Sequence, residues 1–100
     1  MTTVHIENTV RDFDTWRANF DKYDRFRAEQ GVRSYRVSRS VTEPNEVLID
    51  LEFSDETAAR AFLPKLEQIM SSPQAQTQLV RHSSPQLFAV VTDQAPAPID

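Results

Sequence analysis

The chain lacks cysteine and contains a single glycine among its 100 residues. Without cysteine, disulfide bonds, thiol catalysis and cysteine-ligated zinc are excluded. The 11 basic and 15 acidic residues are scattered rather than clustered, so the sequence offers no basic stripe to nucleic acid. No apolar run approaches the roughly 18 residues of a membrane span, and the first residues lack the pattern of a signal peptide. We therefore expect a cytoplasmic protein that binds neither nucleic acid nor membranes.

A chain of 100 residues has room for one hydrophobic core. We assign residues 1–92 to a single domain and predict that residues 93–100, which include Pro96 and Pro98, form a mobile tail. Hydrophobic residues make up 39% of the chain, which predicts a thin core in the monomer. An interface with a second subunit would bury further apolar surface, so the composition favours an oligomer.

The first third of the chain has two periodic patterns. Residues 2–10 alternate with a period of two and are rich in β-branched side chains, which predicts a strand. The next apolar positions recur every three or four residues, which predicts one helix that ends at Gly31, where a left-handed residue is favourable. These apolar positions are Phe13, Trp16, Phe20, Tyr23 and Phe26.

A β-hairpin is predicted next. Residues 33–41 and 47–54 alternate in polarity, and the segment between them is rich in turn-forming residues. Residues that face each other across a hairpin lie on the same face of the sheet. The pairs that we expect are Tyr35 with Phe53, Val37 with Leu51, and an ion pair of Arg36 with Glu52.

Two helical segments and a strand complete the chain. A helix that begins at Ser54 should kink or break just before Pro64, because proline donates no backbone hydrogen bond. The pair Ser72-Pro73 is typical of a helix N-terminus and predicts a short helix that runs to about Arg81. Residues 86–92 are predicted to form the last strand.

The order of elements, βαββαβ, is that of a ferredoxin-like α+β fold. The right-handed crossover rule places the third strand between the first and the second, which gives one four-stranded antiparallel sheet with both main helices on one face. The opposite face would carry His5 near a carboxylate, together with apolar side chains such as Leu48 and Val90. Because this face is partly apolar, we expect the corresponding faces of two copies to meet in a homodimer.

Three segments resemble the dimeric α+β barrel superfamily, especially antibiotic biosynthesis monooxygenases. They are residues 12–16 (Asp-Phe-Asp-Thr-Trp), residues 44–47 (Pro-Asn-Glu-Val) and residues 51–62, within a resemblance that covers residues 2–92. The resemblance implies a dimeric barrel made from two sheets and, in each subunit, a ligand cavity between sheet and helices. The superfamily includes oxygenases, cyclases, isomerases, haem enzymes and proteins without known activity, so the resemblance leaves the reaction open.

The two histidines are the side chains that titrate closest to neutral pH, which makes them the first candidates for proton transfer. His5 should face the barrel, where a structural hydrogen bond is favoured over chemistry. His82 lies close to where cavities of the superfamily open and is the candidate catalytic base, with a surface or capping role as the alternative. Tyr23 or Asn8 would stabilise the anion of the substrate in a largely dry site.

An apolar slot with a few polar groups is sufficient for the cofactor-free oxygenases and cyclases of the superfamily. Aromatic residues at helical spacing also form cores, so the alternative is that these side chains only pack. We expect no metal and no cofactor, since neither histidine has a partner at metal-ligand spacing. The predicted substrate-binding positions are Trp16, Phe20, Tyr35, Arg39, Phe53 and Phe62.

Haem binding or degradation is less favoured. Haem-degrading relatives use an Asn on the first strand, a Trp at the end of the third strand and a His on the following helical segment. The closest matches are Asn8, Phe53 and His82. Phe53 stands where these relatives have the Trp that distorts the haem ring, so the match is incomplete.

We therefore interpret the chain as a small cofactor-independent enzyme, similar to monooxygenases or cyclases, that acts on an apolar aromatic or polyketide-like substrate. The alternative is a non-catalytic ligand-binding or interaction protein on the same dimeric fold. An open cavity of several hundred Å³ with converging polar groups would favour an enzyme or a binder, whereas a filled core would favour an interaction role.

Overall fold

The computed structural model describes residues 1–99 and contains an antiparallel sheet with helices against one face. The sheet order is β2-β3-β1-β4, with β5 also paired to β1, which confirms the ferredoxin-like α+β prediction and the central place of β3 and β1. The strands are β1 (Thr2–Val10), β2 (Ser34–Arg39), β3 (Glu46–Phe53), β4 (Leu79–His82) and β5 (Gln86–Ala89), and the helices are α1 (Phe13–Asp21), α2 (Asp24–Glu29), α3 (Glu56–Met70) and α4 (Pro73–Gln78).

The tail and the helix lengths add two observations. Residues 93–99 form neither helix nor strand, and Asp100, the last residue of the predicted mobile tail, lies outside the described residues. Within residues 1–99, no helix has the length and apolar character that crossing a membrane requires.

The central strand, β1, has strictly alternating burial. Its even-numbered residues are buried and its odd-numbered residues are half-buried or exposed. It pairs antiparallel with β3, from Thr2 opposite Phe53 to Thr9 opposite Glu46. Because successive side chains of a strand point to opposite faces, this alternation places one row under the helices and the other on the far face.

The outer strand beside β1 is divided into two pieces, which the sequence did not predict. β4 pairs with residues 8–10 of β1 and β5 pairs with residues 2–5. Between them the Ser83 N–H donates to the Glu7 carbonyl at 3.0 Å, whereas Pro85 has no N–H for the ladder. The predicted short helix ends at Gln78 instead of Arg81, so His82 belongs to a strand.

The hairpin of β2 and β3 forms, but the predicted register is wrong by two residues. Val37 lies opposite Ile49 and Arg36 opposite Asp50. The Ser40 hydroxyl accepts hydrogen bonds from the backbone N–H groups of Thr42 and Glu43, which centres the turn one residue earlier than expected.

Two predicted contacts across this hairpin change with the register. Tyr35 lies opposite Leu51 rather than Phe53. The predicted ion pair of Arg36 with Glu52 is also wrong, and the Glu52 carboxylate accepts a hydrogen bond from the Thr3 hydroxyl at 2.7 Å.

The first helical segment is broken, although its periodicity predicts one helix. α1 ends at Asp21, and the N–H groups of Lys22 and Tyr23 bond to carbonyls three residues earlier, which tightens the chain out of α-helix geometry. α2 then runs to Glu29, and Gly31 has the predicted left-handed conformation with φ of 94°.

The predicted break at Pro64 is wrong, because α3 is continuous from Glu56 to Met70. Pro64 leaves the carbonyl of Arg60 without its helical donor, but both residues are exposed to water. Phe62 and Leu66, on either side of the proline, are buried and hold both halves of the helix against the sheet. Tertiary packing therefore overrides the local preference.

The N-termini of α1, α3 and α4 are each capped by a side chain. The side chains of Asp12, Asp55 and Ser72 accept hydrogen bonds from backbone N–H groups three residues on, as N-cap residues do. Ser72 and Pro73 confirm the predicted start of the short helix α4.

The face of the sheet away from the helices is called the open face and is partly apolar. His5 lies here as predicted, with its Nδ1 atom 2.6 Å from a carboxylate oxygen of Asp50 and its Nε2 atom 3.1 Å from Glu7. The hydrogen bond to Asp50 raises the pKa of His5 above its usual value, against the opposing effect of burial. The residues that define the open face are Thr3, His5, Glu7, Leu48, Asp50, Glu52 and Phe88.

Replacing Phe53 by alanine should lower the free energy of unfolding by about 3–5 kcal/mol, because the ring is fully buried and its removal leaves a void. Val41→Ala, at a fully exposed residue of the turn, should change it by less than about 0.5 kcal/mol. Urea unfolding followed by circular dichroism measures both variants. Similar losses for the two would contradict the central position of Phe53 in the core.

His5 should make stability depend on pH. Because the pKa of His5 is raised on folding, its contribution is complete below its usual value of 6.5 and is lost as the pH rises through the higher folded value. The stability difference between the wild type and His5→Gln should therefore shrink from about pH 5.5 to about pH 8. Urea titrations across this range measure it, and a difference that stays constant or grows would refute the pairing with Asp50.

Candidate functional site

A cavity of about 110 Å³ lies between the sheet and the helices. It has the predicted location but is smaller than the several hundred Å³ expected for an open substrate pocket. Its lining residues are Ile6, Asn8, Trp16, Asn19, Phe20, Tyr23, Phe26, Arg27, Ile49, Leu51, Phe62, Leu66, Ile69, Met70, Ala75, Gln78 and Leu79.

The walls of the cavity are mostly aromatic and aliphatic. Trp16 stacks on Phe20 with ring centroids 5.1 Å apart, and Phe26 lies 6.4 Å from Phe62. Ile49 and Leu51 of β3 are buried and belong to the sheet side of the lining. Such a surface suits a flat apolar ring, because offset aromatic contacts add to the gain from burial.

Two buried polar groups interrupt this apolar lining. The Oδ1 atom of Asn8 has no hydrogen-bond partner among residues 1–99, and neither have the Nε and Nη2 atoms of Arg27. Buried polar atoms are nearly always hydrogen-bonded in folded proteins. The accessible lining of the cavity is almost entirely apolar, so these atoms lie just behind its surface, and a bound molecule satisfies them when the two side chains turn toward it.

The structure brings several of the predicted site residues together at this cavity. Tyr23 lies half-buried in its lining, while Asn8 and Trp16 are buried there. Phe20 and Phe62 complete the predicted residues that line it.

Tyr35 and Arg39 do not line the cavity. The Tyr35 hydroxyl donates to Asp24 at 2.5 Å, on the outer side of α2. The guanidinium of Arg39 lies over the ring of Phe13, 4.2 Å from its centroid. The two-residue change of hairpin register accounts for neither position, since both residues stay on the helix-facing side of β2. β2 is the outermost strand, and no residue of it belongs to the lining of the cavity.

The residues matched to haem-degrading relatives are not grouped around one pocket. Phe53 is fully buried, 5.5 Å from the ring of Phe62, and pairs with Thr2 at the start of β1. Asn8 and His82 face each other across β1 and β4, six residues farther along β1, or about 20 Å away.

His82 is exposed and lies outside the cavity that contains Tyr23. It lines a surface groove of about 660 Å³ beside α3, together with Arg60 and Glu67. It also lines a smaller groove of about 270 Å³, which Asn8 borders as well. His82 is therefore adjacent to Asn8 but is not brought together with the aromatic walls.

Arg27 is the charged residue of the cavity lining, and it was not among the predicted site residues. Its signal was its position, because residues 20, 23 and 27 are spaced by three and four and so share one side of a helix. No prediction was made for this residue from the sequence. In the structure only 5% of its surface is exposed.

The cavity contains few groups that transfer protons near neutral pH. Among residues 1–99 its lining includes no histidine and no carboxylate. The described part of the chain also has no cluster of three or more His, Asp or Glu side chains that could hold a metal ion. The chemistry available to these residues is hydrogen bonding and stabilisation of negative charge by Arg27, Asn8 and Tyr23.

Comparison with solved structures shows the same fold. SnoaB, a cofactor-independent oxygenase from Streptomyces nogalater, has a TM-score of 0.74 at 17% identity, with 92% of this chain and 94% of that chain covered. A dimeric ferredoxin-like protein from an uncultured marine organism has a TM-score of 0.66 at 15% identity, with coverage of 93% and 96%. A candidate antibiotic biosynthesis monooxygenase from Deinococcus radiodurans has a TM-score of 0.63 at 16% identity, with complete coverage of both chains.

Comparison with known sequences identifies the family. No curated protein is significantly similar to this chain. The family model described as antibiotic biosynthesis monooxygenase matches residues 1–65, which include β1, α1, α2, the hairpin and most of α3. Because this match covers more than half of the chain, the protein belongs to the antibiotic biosynthesis monooxygenase family.

Proposed function

We propose that this protein is a small enzyme that acts without a cofactor on a flat aromatic or polyketide-like substrate, in the manner of a monooxygenase or a cyclase. The observation that carries the proposal is the aromatic cavity whose lining includes Asn8 and Arg27, two residues with buried polar atoms that have no partner among residues 1–99. Family membership supports a monooxygenase-like activity in general. The description of SnoaB as a cofactor-independent oxygenase supports chemistry of this class.

Oxygenation without a cofactor requires the substrate to supply all the electrons. A ring CH₂ group and O₂ can give a ring carbonyl and water, so that one oxygen atom enters the product and the other leaves with the two hydrogens. The reaction begins when the substrate loses a proton and becomes an electron-rich anion. We assign stabilisation of that anion to the N–H groups of the Asn8 amide and to the Tyr23 hydroxyl, beside the positive charge of Arg27.

The predicted catalytic base, His82, has a narrower role in this proposal. It lies outside the cavity, so it serves only a substrate that extends past Asn8 to the edge of the sheet. A substrate confined to the cavity has to ionise through its own acidity. We favour the second route, because Arg27 lowers the pKa of an acidic group bound beside it.

A non-catalytic ligand-binding role on the same fold is the second candidate. The specific observation in its favour is that no histidine or carboxylate of residues 1–99 lines the cavity. Binding alone needs the apolar walls and the polar anchors, whereas catalysis also needs a route for the proton. A cytoplasmic location stays a prediction under either function.

We also propose that the protein is a homodimer that joins the open faces of two sheets. Leu48 is 41% exposed and Phe88 is 51% exposed on that face, beside the paired side chains of His5 and Asp50. Covering these apolar side chains would stabilise the dimer. The dimeric ferredoxin-like protein with a similar fold supports the proposal.

Substitutions at Asn8 and His82 test the proposed site. Asn8→Ala should reduce turnover of an acidic aromatic substrate by about 10²-fold, since it removes a group that contacts the anion. His82→Ala should keep turnover within about threefold of the wild type, because His82 lies outside the cavity. If His82 were the catalytic base, its loss would lower turnover by at least about 10²-fold. Oxygen consumption and mass spectrometry after reaction under ¹⁸O₂ measure turnover and the incorporated atom.

The controls for this test concern folding and the nature of the reaction. Thr9→Ala alters the neighbouring residue, whose side chain points to the opposite face, and should leave turnover unchanged. A cyclase would consume no oxygen and release a product without the ¹⁸O label. A large loss in His82→Ala with little loss in Asn8→Ala would move the chemistry to the grooves at the edge of the sheet.

The dimer is tested by sedimentation equilibrium. The wild type should sediment at about twice the chain mass of 11.5 kDa at micromolar concentration. Leu48→Asp should shift the equilibrium to the monomer, because it places an unpaired charge in the proposed interface. Val41→Asp introduces the same charge on the turn, away from the open face, and should stay dimeric. A wild-type monomer at these concentrations would rule out the proposed dimer.

A further inference from the structure

The Arg27 side chain is held in an unusual environment for a charged group. Its guanidinium lies 3.7 Å from the centroid of the Phe20 ring and 4.7 Å from that of the Tyr35 ring. Only 5% of the residue is exposed. These contacts fix the plane of the guanidinium at the edge of the cavity, since cation–π contacts favour a defined position over the ring.

The charge of Arg27 is only partly compensated. Its Nη2 atom lies 3.8 Å from a carboxylate oxygen of Asp24, which is too far for a hydrogen bond. That carboxylate is 65% exposed and accepts the hydrogen bond of Tyr35. The Nε and Nη2 atoms are buried and have no hydrogen-bond partner among residues 1–99. A buried charge with unused donors is unfavourable until an anion pairs with it.

Asn8 supplies a complementary group in the same cavity. Its Oδ1 atom is buried and accepts no hydrogen bond from residues 1–99. A ligand that satisfies both residues has to present an anionic acceptor to Arg27 and a hydrogen-bond donor to Asn8. A ring that carries an acidic group and a hydroxyl group has this pattern.

The dimensions of the cavity limit the size of the ring system. Its volume of about 110 Å³ is below the roughly 150 Å³ of a cavity that accommodates benzene. The cavity is partly open to solvent, and several of its lining residues, such as Tyr23, Met70 and Gln78, are half-buried. One ring is therefore the upper limit for what lies between the aromatic walls, its substituents have to extend through the open side of the cavity, and fused rings do not fit.

We propose that the cavity selects a single-ring aromatic anion, of the hydroxybenzoate type, whose negative group pairs with the guanidinium of Arg27 and whose hydroxyl donates to Asn8. The inference rests on the proposed use of this cavity for a ligand and names the class of that ligand. It concerns binding, so it is measured independently of turnover.

The test compares 4-hydroxybenzoate with its neutral analogue 4-hydroxybenzamide. The wild type should bind the carboxylate at least about tenfold more tightly, because a charge-assisted bidentate contact is stronger than a neutral one. Isothermal titration calorimetry gives the affinities. Trp16, the single tryptophan of the chain, lines the cavity, so its fluorescence reports whether the ligand enters there.

Variants identify the residue responsible. Arg27→Gln should abolish the preference for the carboxylate. Arg25→Gln is the matched control, since Arg25 lies on the same helix with a side chain that is 94% exposed, and it should retain the preference. Removing the ring hydroxyl should weaken binding to the wild type but not to Asn8→Ala. If Arg27→Gln does not fold, the comparison of the two ligands with the wild type still decides.

Four results would overturn the inference. They are equal affinity for the neutral amide, an unchanged preference in Arg27→Gln, no binding of 4-hydroxybenzoate at millimolar concentration, and tighter binding of anthracene-9-carboxylate than of the single ring. Tight binding of the carboxylate without oxygen consumption would support the inferred ligand class and rule out the proposed oxygenase function. Oxygenation of neutral fused-ring substrates alone would support the proposed oxygenase function and overturn the inferred ligand class.

Discussion

The alternation of side chains along β1 is the constraint on which the other features depend. β1 pairs with β3 on one side and with the divided outer strand on the other, so its register sets the whole sheet. Val4 and Ile6 face the helices, and Asn8 continues this row where the cavity lies. A shift by one residue would bring His5 and Glu7 under the helices and expose the apolar row, which makes the arrangement strongly specified.

The cavity combines a strong positive charge with walls that exclude water. In such a medium the interaction between Arg27 and an anion is stronger than it is at the surface. Because histidine and carboxylate are missing from the part of the lining that residues 1–99 form, in the proposed function the field of the site would act mainly on the acidity of the bound molecule. Binding and activation of the substrate would then be one event, governed by the same guanidinium.

Much of the fold could be predicted because its signals are local. The strand β1, the hairpin and the N-cap of α4 each follow from the chemistry of a few neighbouring residues. The continuity of α3 through Pro64 could not be predicted in this way, because it depends on packing of Phe62 against the sheet. Strand β4 was missed for the same reason, since four residues after a helix form a strand only beside an existing partner.

The candidate site could be predicted only in part. Aromatic residues at helical spacing identified Trp16 and Phe20 correctly as inward-facing, but the same pattern cannot distinguish a cavity wall from a filled core. The buried position of Arg27 depends on rings that come from α1 and β2, which are distant along the chain. His82 was predicted as the base because the resemblance places it close to where the cavity opens, whereas the structure puts it on β4, opposite Asn8 and outside the cavity.

The gap in the outer strand at residues 83–85 has a consequence for solubility. A long unpaired strand edge is a template on which other chains can add and grow into fibrils. Here that edge consists of two pieces of four residues each, separated by a proline that cannot join a ladder. The opposite edge, β2, carries the exposed charges of Arg36 and Arg39. Both borders of the sheet are thus poor starting points for amyloid-like growth.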